Sequence, residues 1–402
     1  MRRQQPPRPV RDPLTRPVER QVPPAPRSRA MHAMSARAAQ GRFVLQRCTE
    51  CEAVTYPPRD ICPVCWGELA WADQPRGATI LAATMIRVTT DLYFHAHLPW
   101  RIGTVALDAG PVAIVHLHRD LAVGDRATMR LMLDKGGNAA LFALPEQEGN
   151  PMADPQWREF VVPVQDRAVL VTDGDTALGK AVVRALVAAG AHSVLVGTST
   201  PGVPMPAEGD PEQVRQVPLD LTDSQSVTHC IAQLGGPIDI VVNTARFVRP
   251  GGVSAGGRLL HQQRALDVGV LGLLRLAEAV APVLAGRPAG AFVDLLSIHA
   301  LVGDARFAGF SAAEAARHSL LQSFRHEMRA TGVRVLSVFF GAIDDEDHQS
   351  VPFPHIAPDR LAQGVIEALA SGREQQAVGD VARDLMARWL ADPATTNREN
   401  NL

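Results

Sequence analysis

Lysine and tyrosine are almost missing from this chain of 402 residues: the lysines are Lys135 and Lys180, the tyrosines Tyr56 and Tyr93. After residue 93 there is no phenolic proton donor, and after residue 135 a single ammonium group. Chemistry that needs a tyrosine hydroxyl tuned by a lysine one turn away is therefore excluded from the C-terminal half. Surplus positive charge is lacking too. At a net charge of -2 there is no cationic excess to displace counterions, so nucleic acid is not expected as a partner. The most apolar stretch, 268–296, is broken by Arg275, Glu278 and Arg287, and no membrane span is expected. The arginine pair near the start is not followed by an apolar signal core, which gives a cytoplasmic expectation.

What is present is a globular composition, 46% apolar and 20% charged, long enough for more than one core. Residues 1–40 begin with a run dense in proline and arginine and read as a disordered arm. Residues 41–72 carry a cysteine cluster, and 73–145 carry short β-rich runs such as "GATILAATMIRV". A polar, proline-bearing linker follows over 146–166. From 167 to 402, apolar strands ("RAVLVT", "SVLVG", "PIDIVVN", "AFVDLL", "VRVLSVFF") alternate with stretches of helical period, which implies a doubly wound, Rossmann-like parallel sheet.

"CTEC", ten residues and "CPVC" place Cys48, Cys51, Cys62 and Cys65 in two knuckles. Each knuckle can offer two thiolates to one ion, the arrangement of a tetrahedral structural zinc with no open position. Cys230 stands apart and reads as a small core residue. Two His-x-His pairs, His95/His97 and His116/His118, could frame a second metal, but no carboxylate or cysteine nearby completes a set, and the plainer reading is surface or interface histidines. The ribbon, with "GRFVLQRC" before it and "LPWRIGTVALDAGPVAIVHL" after it, resembles the rubredoxin-like zinc ribbon plus OB-fold proteins that accompany thiolases. That resemblance implies a non-catalytic partner of a thiolase or thiolase-like aldolase in lipid breakdown, helping to form a shared acyl-CoA site. An OB barrel would equally suit single-stranded nucleic acid, but the strands lack interleaved aromatic and basic residues.

In the C-terminal half, "TDGDTALGK" sits between a strand and a helix, "LDLTD" follows a third strand and "VVNTAR" ends a fourth. In order and spacing these resemble the short-chain dehydrogenase/reductase family over residues 167–380. The resemblance implies a vestigial nicotinamide site in which Thr172, Gly179, Asp220 and Asn243 remain, Gly174 re-forms part of the loop, and Asp173 and Ala177 stand where the family has glycines. A carboxylate about 4 Å from a phosphate costs roughly 4 kcal/mol at an effective dielectric near 20, and a Cβ at 177 crowds the backbone approach. Both changes oppose NAD(P), while Lys180 offsets part of the charge. Arg246 replaces a glycine bordering the cofactor. The family's Asn, Ser, Tyr and Lys fall on Gly269, Ser297, Phe310 and Glu314. Asp294, Ser297 and His299 lie close in sequence, but no Gly-x-Ser-x-Gly elbow accompanies them, and a hydrolase triad is not expected.

The expectation is a non-catalytic partner or scaffold subunit of a thiolase-like enzyme, forming a homo-oligomer through long apolar helical stripes in its reductase-like domain. The alternatives are a short-chain oxidoreductase with an atypical site and an NAD(P) sensor without turnover. Metal analysis of the purified chain is expected to find close to one zinc per chain, and much less than that would overturn the ribbon reading.

Overall fold

A computed structural model describes residues 22–24, 28–146, 150–199, 213–233, 236–254 and 259–401. Most of the expected disordered arm lies outside these residues, but its last quarter is ordered. Helix α1 (Arg29–Ala38) seats Met34 and Ala38 on the barrel that follows. The segment "RAMHAMSARA" has no proline or glycine, and its methionines recur at helical spacing. The arginine-rich composition hid it.

The ribbon is a three-stranded antiparallel sheet in the order β2-β1-β3, from β1 (Val44–Cys48), β2 (Val54–Thr55) and β3 (Leu69–Asp73). A closed barrel follows, built from β4 (Gly77–Ile86), β5 (Trp100–Leu107), β6 (Val112–Leu117), β7 (Arg126–Leu133) and β8 (Ala139–Pro145) in the order β4-β5-β6-β8-β7. A short helix, α2 (Leu92–Ala96), joins the first two. Alternation in β5 and β6 sends Val105, Leu107, Ala113, Val115 and Leu117 inward.

The expected linker is not loose. Its described part carries α3 (Pro155–Arg158) and buries Trp157, Phe160 and Val161 beside Trp100 and Phe142 of the barrel. Aromatic side chains that large dominate any surface they reach, so the segment glues the barrel to the next domain. Arg334 reinforces the joint, donating from Nη2 to the carbonyls of Leu133 (3.0 Å) and Glu159 (3.2 Å). The amides of Glu374 and Gln375 both donate to Ala39 O.

The C-terminal domain runs β9 (Ala168–Val171), α4 (Ala177–Ala188), β10 (Ser193–Thr198), β11 (Val214–Pro218), α5 (Ser224–Gln233), β12 (Ile240–Asn243), α6 (Leu259–Leu266), α7 (Gly272–Ala285), β13 (Ala291–Ser297), α8 (Ala308–Met328), β14 (Arg334–Phe340), α9 (Pro358–Ser371), β15 (Gln375–Val378), α10 (Asp380–Ala391) and α11 (Pro393–Glu399). All seven strands are parallel, in the order β11-β10-β9-β12-β13-β14-β15. The order reverses between β9 and β12, so the crevice for ligands opens at their C-terminal ends. One apolar core lies beneath α4 and α9, and the other beneath α5, α7, α8 and α10. The edge strand β15 was not anticipated from sequence, because "QQAV" is too polar and short to read as a strand.

The helical run 259–285 is long and apolar enough to cross a membrane by length and composition. It packs Leu273, Leu276, Val280 and Leu284 into the sheet's core. The apolar stripes of α7 and α8 are thus mainly core stripes, while Leu259, Leu260, Leu266, Leu271 and Leu274 remain exposed beside them.

If α1 belongs to the barrel core, truncating Met34, which is 0% exposed, is costly. Met34→Ala is expected to lower stability by about 2–4 kcal/mol in chemical denaturation, against near-zero change for an arm residue.

Candidate functional site

The four cysteines converge. Cys48 and Cys65 Sγ lie 3.4 Å apart, Cys51 and Cys62 Sγ 3.7 Å, and all four sulfurs fall within 4.8 Å of one another. A tetrahedral zinc with Zn–S bonds of about 2.3 Å sets its sulfurs roughly 3.8 Å apart, so the residues fit that ion. Glu52 and Trp66, each following the second cysteine of its knuckle, take left-handed backbone (φ 61° and 67°). That turn lets backbone amides face the sulfurs: hydrogen bonds from Cys51 and Glu50, with the neighbouring thiols, bring Cys48 down to about 7. At Cys65 the Gly67 amide lowers the value, but the crowding sulfurs of Cys51 and Cys48 outweigh it and push the thiol up to about 12. All four thiols must lose their protons to bind the ion, so its affinity falls as pH falls.

The histidine pairs form no second centre. His97 bonds Tyr93 O through Nδ1 and faces Glu159 Oε2 at 3.2 Å through Nε2. His116 accepts from Trp100 Nε1–H, and burial brings it down to about 4. His118 lies beside Asp120 and Asp154. The cysteine cluster is the only metal-ligating group among the described residues. Tyr93 and Lys135, half of the chain's tyrosines and lysines, meet on Glu159: Tyr93 Oη donates to Oε2 at 3.0 Å, and Lys135 Nζ stands 2.5 Å from it. Burial raises that carboxyl, but His97 and Lys135 outweigh it and bring it to about 2. These groups are committed to the joint between barrel and sheet.

In the sheet domain Glu314 links the Ser297 amide to Arg317, which packs beside Gly269, while Phe310 and Ser297 border a cavity. The Ser297 amide donates to Glu314 Oε2 at 2.6 Å. Arg317 Nη1 donates to Glu314 Oε1 at 2.6 Å and Nη2 to Asp294 Oδ1 at 2.8 Å. Asn243 Nδ2 donates to the same Asp294 oxygen at 2.6 Å, and Thr172 Oγ1 donates to Asn243 Oδ1 at 2.8 Å. Arg317 and Asp294 are fully buried and Glu314 is 2% exposed. Burial lowers the Arg317 pKa, yet the carboxylates of Asp294 and Glu314 more than restore it and hold the guanidinium charged. Burial pushes the Asp294 carboxyl up, with Arg317 opposing. Gly269 leaves the room this needs: a Cβ there would sit 3.3 Å from Arg317 Cδ. Sequence reasoning missed Arg317, although an arginine three residues after Glu314 inside a buried helical stripe was a legible signal.

The nucleotide turn departs from a phosphate cradle. Thr176 caps α4 by accepting from the Gly179 amide at 3.0 Å, and Gly179 is obligatory because a Cβ would collide with the Asp173 carbonyl. Asp175 Oδ2 accepts from the Ser199 amide at the end of β10. Burial raises the Asp173 carboxyl, opposed by Arg246. Arg246 donates from Nη2 to Asp345 Oδ2 at 2.8 Å, tying the end of β12 to the loop after β14. Asp220 accepts from the Thr222 amide and hydroxyl instead of facing the crevice unpartnered. Two carboxylates at the turn and a bridged Arg246 fit a dinucleotide pyrophosphate poorly. Thr172 and Asn243 serve the buried network, and Gly174 packs its backbone against Val196.

Ser297 caps the turn after β13, its Oγ accepting from the His299 amide at 3.2 Å. No triad forms, since Asp294 is spent on Arg317 and Asn243. Ser297 and Phe310 line a cavity of about 220 Å³ together with His299 and His348.

Residues 35–70 match the family model for the ChsH2 rubredoxin-like zinc ribbon domain, and residues 167–352 match the model for short chain dehydrogenases. An uncharacterized oxidoreductase of Staphylococcus saprophyticus subsp. saprophyticus is 27% identical over 191 residues, 46% of this chain and 81% of that protein. An uncharacterized oxidoreductase of Staphylococcus aureus (strain USA300) is 26% identical over 216 residues, 51% of this chain and 91% of that protein. A short chain dehydrogenase from Burkholderia cenocepacia J2315, solved in complex with NADP, superposes with a TM-score of 0.55 at 27% identity, covering 59% of this chain and 98% of that one. A short-chain dehydrogenase from Streptomyces avermitilis superposes at 0.52 with 22% identity, over 58% of this chain and 96% of that one, and shares the fold. The chain therefore joins a zinc ribbon of the ChsH2 type and a barrel to a short-chain dehydrogenase domain.

Removing Arg317 leaves two buried carboxyl groups without their cation. Arg317→Ala is expected to cost about 3–5 kcal/mol, read from the denaturation midpoint; a loss below about 1 kcal/mol would show that the cluster does not hold the site together.

Proposed function

We propose that this chain is a partner subunit of a thiolase-like acyl-CoA enzyme, in which the ribbon and barrel help form the acyl-CoA site and the dehydrogenase domain serves as scaffold without hydride transfer. The observation that carries the second half is the Asp294–Arg317–Glu314 cluster. It ties up Glu314, which stands at the position of the family's lysine, and no tyrosine follows Tyr93. Phe310 offers no proton, and Glu314 has the wrong charge to lower a donor's pKa.

The ribbon's match to the ChsH2 model supports the first half. So does its surface: Ile61, Val64 and Trp66 are exposed at the second knuckle, Trp66 at 77%. An exposed tryptophan on a rigid metal-held turn has the character of an interface anchor. The exposed leucines Leu259, Leu260, Leu271 and Leu274 suit a second copy of the chain. The reacting groups of the thiolase chemistry then belong to the partner, and the complex is cytoplasmic. The competing reading, an NADP-binding oxidoreductase or sensor, is favoured by the likeness to the B. cenocepacia enzyme solved with NADP.

Affinity capture from the native host is expected to retain a thiolase homologue. Trp66→Ala is expected to weaken that capture by about 2 kcal/mol, roughly 30-fold. A chain that purifies alone and alters no thiolase activity would sink the proposal. In calorimetry, NADPH and NADH are expected not to bind at millimolar concentration, and saturable binding would favour the oxidoreductase reading.

A further inference from the structure

The cavity beside Ser297 holds a second arrangement that the scaffold role does not use. His348, on the loop after β14, is 5% exposed, and its Nδ1 lies 2.6 Å from Asp345 Oδ1. Asp345 is in turn held by Arg246 at 2.8 Å. In the neutral ring the carboxylate takes the Nδ1 hydrogen, leaving Nε2 with its lone pair. No hydrogen bond among the described residues engages Nε2, and His348 lines the cavity.

The other walls fix what can lie there. Phe307, Phe310, Val351 and Pro352 are apolar. The charges at the rim are already compensated: Arg306 bonds Asp304 through Nε at 3.0 Å and Nη2 at 2.7 Å. Burial lowers the His299 pKa, and its Nδ1 is engaged by Val302 O. A cavity of about 220 Å³ is smaller than a drug-sized pocket and far too small for a dinucleotide.

We propose that this cavity binds a compact, uncharged aromatic hydroxyl compound of the phenol class, whose O–H donates to His348 Nε2, with Asp345 and Arg246 as positioning residues. Recognition has thereby moved from the α8 wall, where Phe310 has no polar atom, to the loop after β14. The site requires neither a nicotinamide nor the thiolase partner, so it stands or falls apart from the proposed function.

The test uses the full chain, with phenol as probe and anisole, the same ring without the O–H, as control, in saturation-transfer NMR titrations. Phenol is expected to bind roughly fivefold tighter than anisole, the worth of one hydrogen bond. His348→Leu is expected to erase that preference. Val351→Trp, which places bulk in the cavity while keeping both His348 and Asp345, is expected to abolish binding of both. Failure of phenol to bind at millimolar concentration, equal affinity for the two probes in the native chain, or a preference that survives in His348→Leu would overturn the proposal.

Discussion

Arg317 is the side chain on which the C-terminal domain turns. A guanidinium with no exposure is tolerable in a medium of low dielectric only where countercharges and carbonyls meet it. Here Asp294 from β13 and Glu314 from its own helix do so, with Leu295 O in addition at 3.3 Å. The network runs on through Asn243 to Thr172, so the ends of β9, β12 and β13 and the first turns of α8 are held by one set of charges. The same set ties up Glu314, the residue at the position of the family's lysine. Gly269 belongs to the arrangement, because any side chain there would press on Arg317.

The second constraint is the joint between barrel and sheet. Arg334 lies on β14 yet reaches barrel and linker carbonyls, and Trp157 and Phe160 fill the gap beneath. Glu159 gathers Tyr93, His97 and Lys135 at the same place. The two modules thus meet through buried polar bonds as well as apolar packing, so a surface on the ribbon and one on the dehydrogenase domain would be offered to partners in a fixed relation.

Much of this was legible in the residues. The cysteine spacing announced the ribbon, and five of the seven parallel strands could be read as quoted apolar runs. The tyrosine and lysine counts ruled out one chemistry whatever the register. Other features were hidden for definable reasons. Helix α1 was masked by arginine-rich neighbours, and the linker's packing by its prolines and acids. β15 was too short and polar to announce itself. His348 and Asp345 sit in a loop whose sequence has no period to read.

The sequence alone determined the metal site, the order of the modules and the absence of a Tyr–Lys pair, because these depend on residue type and short spacing. Only the tertiary structure decided what replaced the missing pair. Arg317, Asp294 and Glu314 come from two elements, and whether a charge is a solvated surface group or a buried keystone depends on the dielectric around it. No local pattern encodes that; it follows from which strands and helices close over the side chain.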